Sequence, residues 1–202
     1  SFWQMYDNII PLILQNTYHL GETMTGAVMA LDNVLAIFLL PVFGMLSDKV
    51  HTKLGRRMPF IVVGTILAVI FMMMLPMIDN AEKARWSTGE SFSNQVIFLA
   101  VLFFTLVSMG LYRSPAVALM PDVTPNHLRS RANAVINLMG AVGGVYALIM
   151  IKVLVGKGET PDYLPLFASI AAVMAIAVGI LVITIRENKL REEVEKAEAV
   201  NT

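Results

Sequence analysis

Cysteine is missing altogether, and charge is scarce: Asp, Glu, Lys and Arg make up 15% of the 202 residues. Without cysteine there is no disulfide framework and no thiolate metal site, and the redox compartment stays open. Acidic and basic residues balance at a formal net charge of +0, so no basic field points to nucleic acid. His19, His51 and His127 are isolated and lack metal-ligand spacing, so no metal is expected. There is no P-loop, GxGxxG, HExxH or nucleophile triad, which argues against an enzyme and against a bound cofactor. No basic n-region or small-residue cleavage site marks a signal peptide. The chain opens Ser-Phe-Trp, inside an apolar run and without an initiator Met, which predicts that further residues precede it in a longer protein.

What is present is apolar. Hydrophobic residues are 56% of the chain, and the mean hydropathy is +0.68. Soluble domains are about 45–50% apolar and about 25% charged, so both departures point to a membrane protein. A spanning helix needs about 20 mostly apolar residues. Six segments meet or approach this, at roughly 2–20, 23–46, 58–78, 95–120, 132–155 and 163–185. The first is polar for a span. Lipid offers no hydrogen-bond partners, so continuous runs of this length must be helices, and barrel strands would be shorter and alternating. After the sixth run, "RENKLREEVEKAEA" opens a charged, helix-favouring tail over 187–202 that belongs in water.

Orientation follows from Lys and Arg in the short loops. Lys49, Lys53, Arg56 and Arg57 follow the second run, Arg129 and Arg131 follow the fourth, and Arg186, Lys189, Arg191 and Lys196 lie in the tail. The opposite loops carry Lys83, Arg85 and Lys157, diluted by Asp79, Glu82, Glu90, Glu159 and Asp162, with Lys152 near the same end of the fifth run. The first set is expected to be cytoplasmic, with both termini inside. The reading is an all-α, multi-pass bundle over 1–186 in a plasma or inner cell membrane.

The hydrophilic island between the second and third runs is "GMLSDKVHTKLGRR", Gly44 to Arg57. Orientation alone would explain its lysines and no more. The pattern "G-x-L-S-D-K … G-R-R" resembles the signature loop of the major facilitator superfamily. In the commonest form the Asp and the Gly-Arg pair are close together, whereas here "KVHTKL" separates them. That spacing, with Pro41 upstream and "GRRMPF" following, resembles the glycoside–pentoside–hexuronide cation symporters and the related sucrose/maltose-transporter branch. "YRSPAVALMPDVTPNHLRSRANAV", Tyr112 to Val135, resembles the helix 4 to helix 5 region of the same group. The resemblance covers essentially the whole chain, as the N-terminal half of a twelve-helix fold. It implies a partnering C-terminal six-helix half and a cytoplasmic gate, with Asp48 paired to Arg56, Arg57, Arg129 or Arg131. Gly44 and Gly55 belong to the motif, and Asp122 is a second acid on that side. The alternative is a solvated loop whose ion pairs contribute about 0–1 kcal/mol.

Ionisable residues inside spans cost at least about 2.5–3.5 kcal/mol on insertion scales and are functional candidates by default. On the first helix Gln4, Asp7, Asn8, Pro11, Gln15 and Tyr18 share one stripe, with Ile9, Ile10, Ile13 and Leu14 opposite. Such a stripe faces a wet cavity, unless the segment lies on the membrane surface. Asp32 sits about 13 Å below the outer end of the second helix, beside Asn33, with Thr25, Met29 and Ala36 on its face. Arg113 lies roughly 12 Å from the cytoplasmic end and Asp7 roughly 21 Å from the outer end, so within a core of about 30 Å an Asp7–Arg113 pair is geometrically allowed. For Asp32 the alternative is burial against a polar partner, and for Arg113 it is snorkelling. Cation coupling needs a carboxylate, and Asp7 and Asp32 with Asn8 and Asn33 supply the ligands. Sugar hydroxyls want acids, amides, Arg and an aromatic ring, which Asp7, Gln15, Tyr18, Arg113 and Trp3 supply. Melibiose-type members place an acidic pair just before the motif proline, where this chain has "AIFLLP", so of H+ and Na+ the proton is favoured. Gly140 and Gly144, in register with Asn133 and Asn137, form a close-packing pattern on the fifth helix.

The expected function is therefore secondary active transport of a glycoside with a cation, by alternating access. A multidrug or other small-solute transporter, or a self-contained six-helix membrane protein with no transport role, stands as the alternative.

Overall fold

The computed structural model describes residues 1–50, 52, 55–86, 94–155 and 161–199. His51, which entered the metal argument, and Lys53, Glu90, Lys157 and Glu159, which entered the charge argument, lie outside the described residues. The described residues form helices joined by turns: α1 (Phe2–Asn16), α2 (Glu22–Met29), α3 (Leu31–Lys49), α4 (Met58–Trp86), α5 (Asn94–Val123), α6 (Arg129–Leu154), α7 (Leu164–Thr184) and α8 (Glu187–Ala199), with a 3-10 turn at Asn126–Leu128.

Five stretches are long and apolar enough to cross a membrane: Glu22–Lys49, Met58–Arg85, Gln95–Val123, Asn126–Leu154 and Leu164–Thr184. They coincide with the second to sixth expected spans. The first of them contains both α2 and α3. Ala30, with ψ −12, loosens the helix by one residue, yet its N–H still reaches Gly26 O at 2.9 Å and its carbonyl accepts Val34 N–H at 3.2 Å. The hydrogen-bond ladder therefore runs through.

α1 is shorter than the expected 2–20. It stops at Asn16 because His19 takes a left-handed φ of 51, and Leu20 N–H turns back to Leu14 O at 3.0 Å. Its 15 residues rise about 22 Å, less than a core of about 30 Å. The apolar side of α1 is nonetheless the centre of the bundle: Ile9, Ile10, Ile13 and Leu14 are 0–1% exposed and pack in one cluster with Met72, Phe98 and Phe167. α4 lies mainly on α5, with α3 on the far side of α5 and α7 against α4. The close approach of α4 and α5 depends on Gly64, where a Cβ would fall 2.7 Å from Tyr112 N.

The expected packing role of Gly140 and Gly144 is met only in part. Gly140 faces open space, while a Cβ on Gly144 would touch Gln4 of α1 at 3.6 Å. α6 leans on α1 and leaves most of its surface uncovered: 6% of its span is buried and 0% of the α2–α3 span, against 39% for α4 and for α5.

α4 runs two turns beyond the expected end at residue 78, because its polar end is internally paired. Asp79 is 0% exposed and accepts from Thr17 Oγ1 at 2.6 Å and Lys83 Nζ at 2.6 Å. Lys83 also donates to Pro161 O at 2.7 Å and lies 4.5 Å from the centre of the Tyr163 ring. Nearby, Asp162 accepts from the Asn80 amide and from Leu164 N–H, and these bonds hold its carboxyl below the ordinary carboxylate value. One buried ion pair thus ties the end of α1 and the start of α7 to α4. Removing one partner of a buried pair strands the other charge, so Asp79→Ala is expected to cost about 3–5 kcal/mol in detergent unfolding. Asp79→Leu with Lys83→Met should cost much less, and equal losses would show that the pair is not what holds this end.

Candidate functional site

Two groups of polar residues stand out. The first is at the end of the bundle where α3 stops and α4 starts. Gly55 has φ 125, a conformation open to glycine, and a Cβ there would lie inside the Glu187 side chain. The turn brings the backbone N–H groups of Arg56, Arg57 and Met58 onto the Glu187 carboxylate at 3.0–3.1 Å. Glu187 is 0% exposed. It caps orphan N–H groups at the start of α4 and meets the positive end of that helix dipole. The tail is therefore not free in water as its composition suggested: α8 packs on α5, and Val194 is buried as well.

The same turn aims both arginines inward. Arg57 Nε donates to Asp122 at 2.5 Å, Arg57 Nη2 lies 3.1 Å from Asp48, and Arg57 Nη1 donates to Ser47 Oγ at 3.3 Å. Arg56 Nη2 lies 3.1 Å from Asp122 and 3.6 Å from Asp48. Burial separates these contacts in strength. The Asp48 side chain is 49% exposed, so its pairs are of the surface kind, about 0–1 kcal/mol. The Arg57 and Asp122 side chains are 8% and 20% exposed, and a shielded charge-assisted bond of that kind is the stronger one. Asp122, from the end of α5, is thus the main partner of Arg57, and Asp48 the outer one. Ser47 hands its own proton to Gly44 O at 2.8 Å, and a Cβ on Gly44 would sit 3.3 Å from Ser114 Oγ of α5. Gly44 therefore serves the α3–α5 approach.

Arg129 and Arg131 do not join this cluster. Arg129 donates to the carbonyls of Pro121 at 3.1 Å and Thr124 at 3.3 Å, closing the end of α5, and Arg131 is exposed. A cation at a helix C-terminus is stabilised by the last carbonyls. Glu187 is the residue that sequence reasoning missed. Its signal was slight: an acid placed directly after the sixth apolar run.

The second group lies within the bundle. Trp3, Asp32, Leu35, Ala36, Leu106 and Arg113 are among the residues lining a small cleft between α1, α3 and α5, of about 20 Å³. Asp32 Oδ1 is buried there without a hydrogen-bond partner among the described residues. The Asp7–Arg113 pair does not form: no carboxylate lies within ion-pair distance of Arg113 among the described residues, and its guanidinium sits 5.1 Å from the Trp3 ring centre. Of the expected stripe, Gln4, Asp7, Asn8 and Gln15 are exposed and Pro11 is half-buried. The Asn8 amide is held by Gln4 O at 2.6 Å. Tyr18 leaves the stripe: its ring packs on Phe98 with centroids 5.0 Å apart, and its hydroxyl is buried. Asn33 is exposed beside Asp32, and Thr25 is buried with an unpartnered hydroxyl.

Five stretches long and apolar enough to cross a membrane, with carboxylates and an arginine inside them, define the chain as a multi-pass helical membrane protein. The sequence model of the Major Facilitator Superfamily matches residues 1–201, and the chain belongs to that family. Among curated proteins it is similar to the sucrose transport protein SUT3 of Oryza sativa subsp. japonica, 24% identical over 151 residues, covering 71% of this chain and 30% of that protein. It is also similar to the sucrose transport protein SUC4 of Arabidopsis thaliana, 34% identical over 116 residues, covering 54% of this chain and 22% of that protein. The chain thus spans less than a third of the length of these relatives. No solved structure matches it.

Glu187 makes its own prediction. Hydrogen bonds to a charged group are worth about 1.5–3 kcal/mol, so Glu187→Ala should cost about 2 kcal/mol or more. Glu187→Gln should cost less. Tryptic cleavage at Lys189 and Arg191 should speed up in the Ala variant, since α8 loses its anchor, and an unchanged rate would show that the cap does not hold α8.

Proposed function

We propose that this chain is the N-terminal six-helix half of a sugar transporter that moves a glycoside together with a cation by alternating access. The observation that carries the reading is the exposed polar side of the bundle. Gln4, Asp7, Asn8 and Gln15 are exposed on α1 within a bundle that lipid surrounds. Hydrocarbon solvates none of them, so they require a water-filled cavity or a polar partner. The thinly covered α2–α3 and α6 spans offer the surface on which a second six-helix half would close that cavity. A cleft of about 20 Å³ cannot hold a sugar by itself, which also asks for a second wall.

In this reading α1 is the first of six spanning helices, both termini are cytoplasmic, and the protein sits in a plasma or inner cell membrane. Arg56, Arg57, Asp48, Asp122 and Glu187 form the cytoplasmic gate. They lock the ends of α3, α4 and α5 together, and the exposed Asp48 pairs, being weak, are those that break as the halves rock. Arg113 and Trp3 present a donor and an aromatic face to the sugar. Asp32 carries the coupling cation, because its buried Oδ1 lacks a partner that a proton or Na+ would supply. The absence of an acid before Pro41 supports the proton. The sucrose transport relatives support the substrate class.

The test is uptake by the full-length protein in proteoliposomes, with labelled glycosides under imposed H+ or Na+ gradients. Asp32→Asn is expected to abolish gradient-driven uptake while exchange of sugar for sugar persists, and Asp7→Asn to weaken both. Uptake of no glycoside under either gradient overturns the sugar assignment. Uptake of lipophilic cations in its place would identify a multidrug transporter.

A further inference from the structure

The faces of α4 and α7 that look away from the core enclose a groove of about 460 Å³. Its walls include Val62, Ile66 and Ile70 of α4 and Val178, Gly179 and Val182 of α7. The one hydroxyl on the wall, Thr65, donates to Ile61 O at 2.7 Å. The groove therefore offers a ligand no hydrogen bond, and a sugar would lose its hydration there with nothing in return. Its volume is that of a small-molecule site, which runs about 300–1,000 Å³. A Cβ added at Gly179 would meet nothing within 4 Å, so this glycine keeps a slot open and does not serve a close helix contact.

The groove covers eight residues of rise on each helix, about 12 Å, less than half of a core of about 30 Å. It belongs to one leaflet. Its lower limit is Ile183, three residues before Arg186, with the end of α7 and an extended Ile185 between them. Arg186 is exposed and has no carboxylate within ion-pair distance among the described residues. Its neighbours are engaged: Arg56 and Arg57 by Asp48 and Asp122, and Glu187 by the amides of α4. An exposed arginine with no carboxylate partner among the described residues thus follows three residues after the last wall residue of a dry apolar slot.

We propose that this groove is a binding site for an anionic phospholipid, with one acyl chain between α4 and α7 and the phosphate on Arg186. It rests on the membrane placement and orientation of α4 and α7 proposed above, and on neither the sugar nor the coupling ion. Lipid tails are as apolar as the groove, so no hydrophobic gain selects the occupant. Selection comes from the fit of a chain beside Gly179 and from the headgroup charge, for which a guanidinium forms paired bonds to phosphate oxygens.

The test is native mass spectrometry of the full-length protein, titrated in detergent with phosphatidylglycerol or phosphatidylcholine. The wild type should retain phosphatidylglycerol in preference. Arg186→Gln should reduce that preference about fivefold, the worth of one basic side chain near an anionic headgroup, and leave phosphatidylcholine unchanged. Gly179→Leu, which fills the slot, should lower retention of both lipids. Equal retention of the two lipids by the wild type, or undiminished lipid on Gly179→Leu, overturns the proposal. Arg186 is exposed, so its variant stays informative even if Gly179→Leu fails to fold. Proteoliposome uptake is read separately, so loss of the lipid site and loss of the transport assignment are distinguishable.

Discussion

The junction between α7 and α8 depends on one carboxylate. Glu187 gathers the first N–H groups of α4 at 3.0–3.1 Å, in a place where water does not reach. Helix starts leave such groups orphaned, and burying them unsatisfied would cost more than any nearby apolar contact returns. The cap sets the turn at Gly55, the turn sets the direction of Arg56 and Arg57, and the arginines then hold the ends of α3 and α5 through Asp48 and Asp122. A loop, three spanning helices and the tail are thereby joined through a few charges.

At the other end of the bundle Asp79 and Lys83 do the same for α1 and α7. The two charge clusters lie at opposite ends of α4, with the apolar cluster around Ile9, Ile13, Met72 and Phe167 between them. Burial requires each charge to be matched, so both ends are specific about their partners, while the middle needs only volume. The polar side of α1 is the exception. Asp7 and Gln15 are exposed, and Asp32 is left with a buried oxygen that has no partner among the described residues. Local conflict of this kind is where function is expected, because a fully satisfied site would have nothing to offer a solute.

Much of this was legible before the fold was seen. Long apolar runs located five spans, since lipid permits little besides a helix, although α4 ends well beyond its expected residue 78. The turn that ends α1 at Asn16 was not legible, because a left-handed His19 has no sequence signal. The extra turns of α4 were missed because Asp79, Glu82 and Lys83 read as loop charges, whereas Asp79 and Lys83 are held by each other, by Thr17 and by Pro161. In the charge cluster Asp48 and Arg57 were legible from a motif, whereas Arg129 turned to the end of its own neighbouring helix. Glu187 read as one more charge in a solvated tail.

The sequence by itself determined that this chain crosses a membrane as helices, and that carboxylates and an arginine go with it. That follows from the length of its apolar runs and the cost of unpaired backbone in lipid, both properties of the chain alone. Which charges meet was decided by the tertiary structure. Asp122 rather than Asp48 is the main partner of Arg57, Trp3 rather than Asp7 faces Arg113, and Glu187 closes α4 from more than a hundred residues away. A charge accepts any opposite partner within a few ångströms, so only the packing of the helices selects among those the sequence supplies.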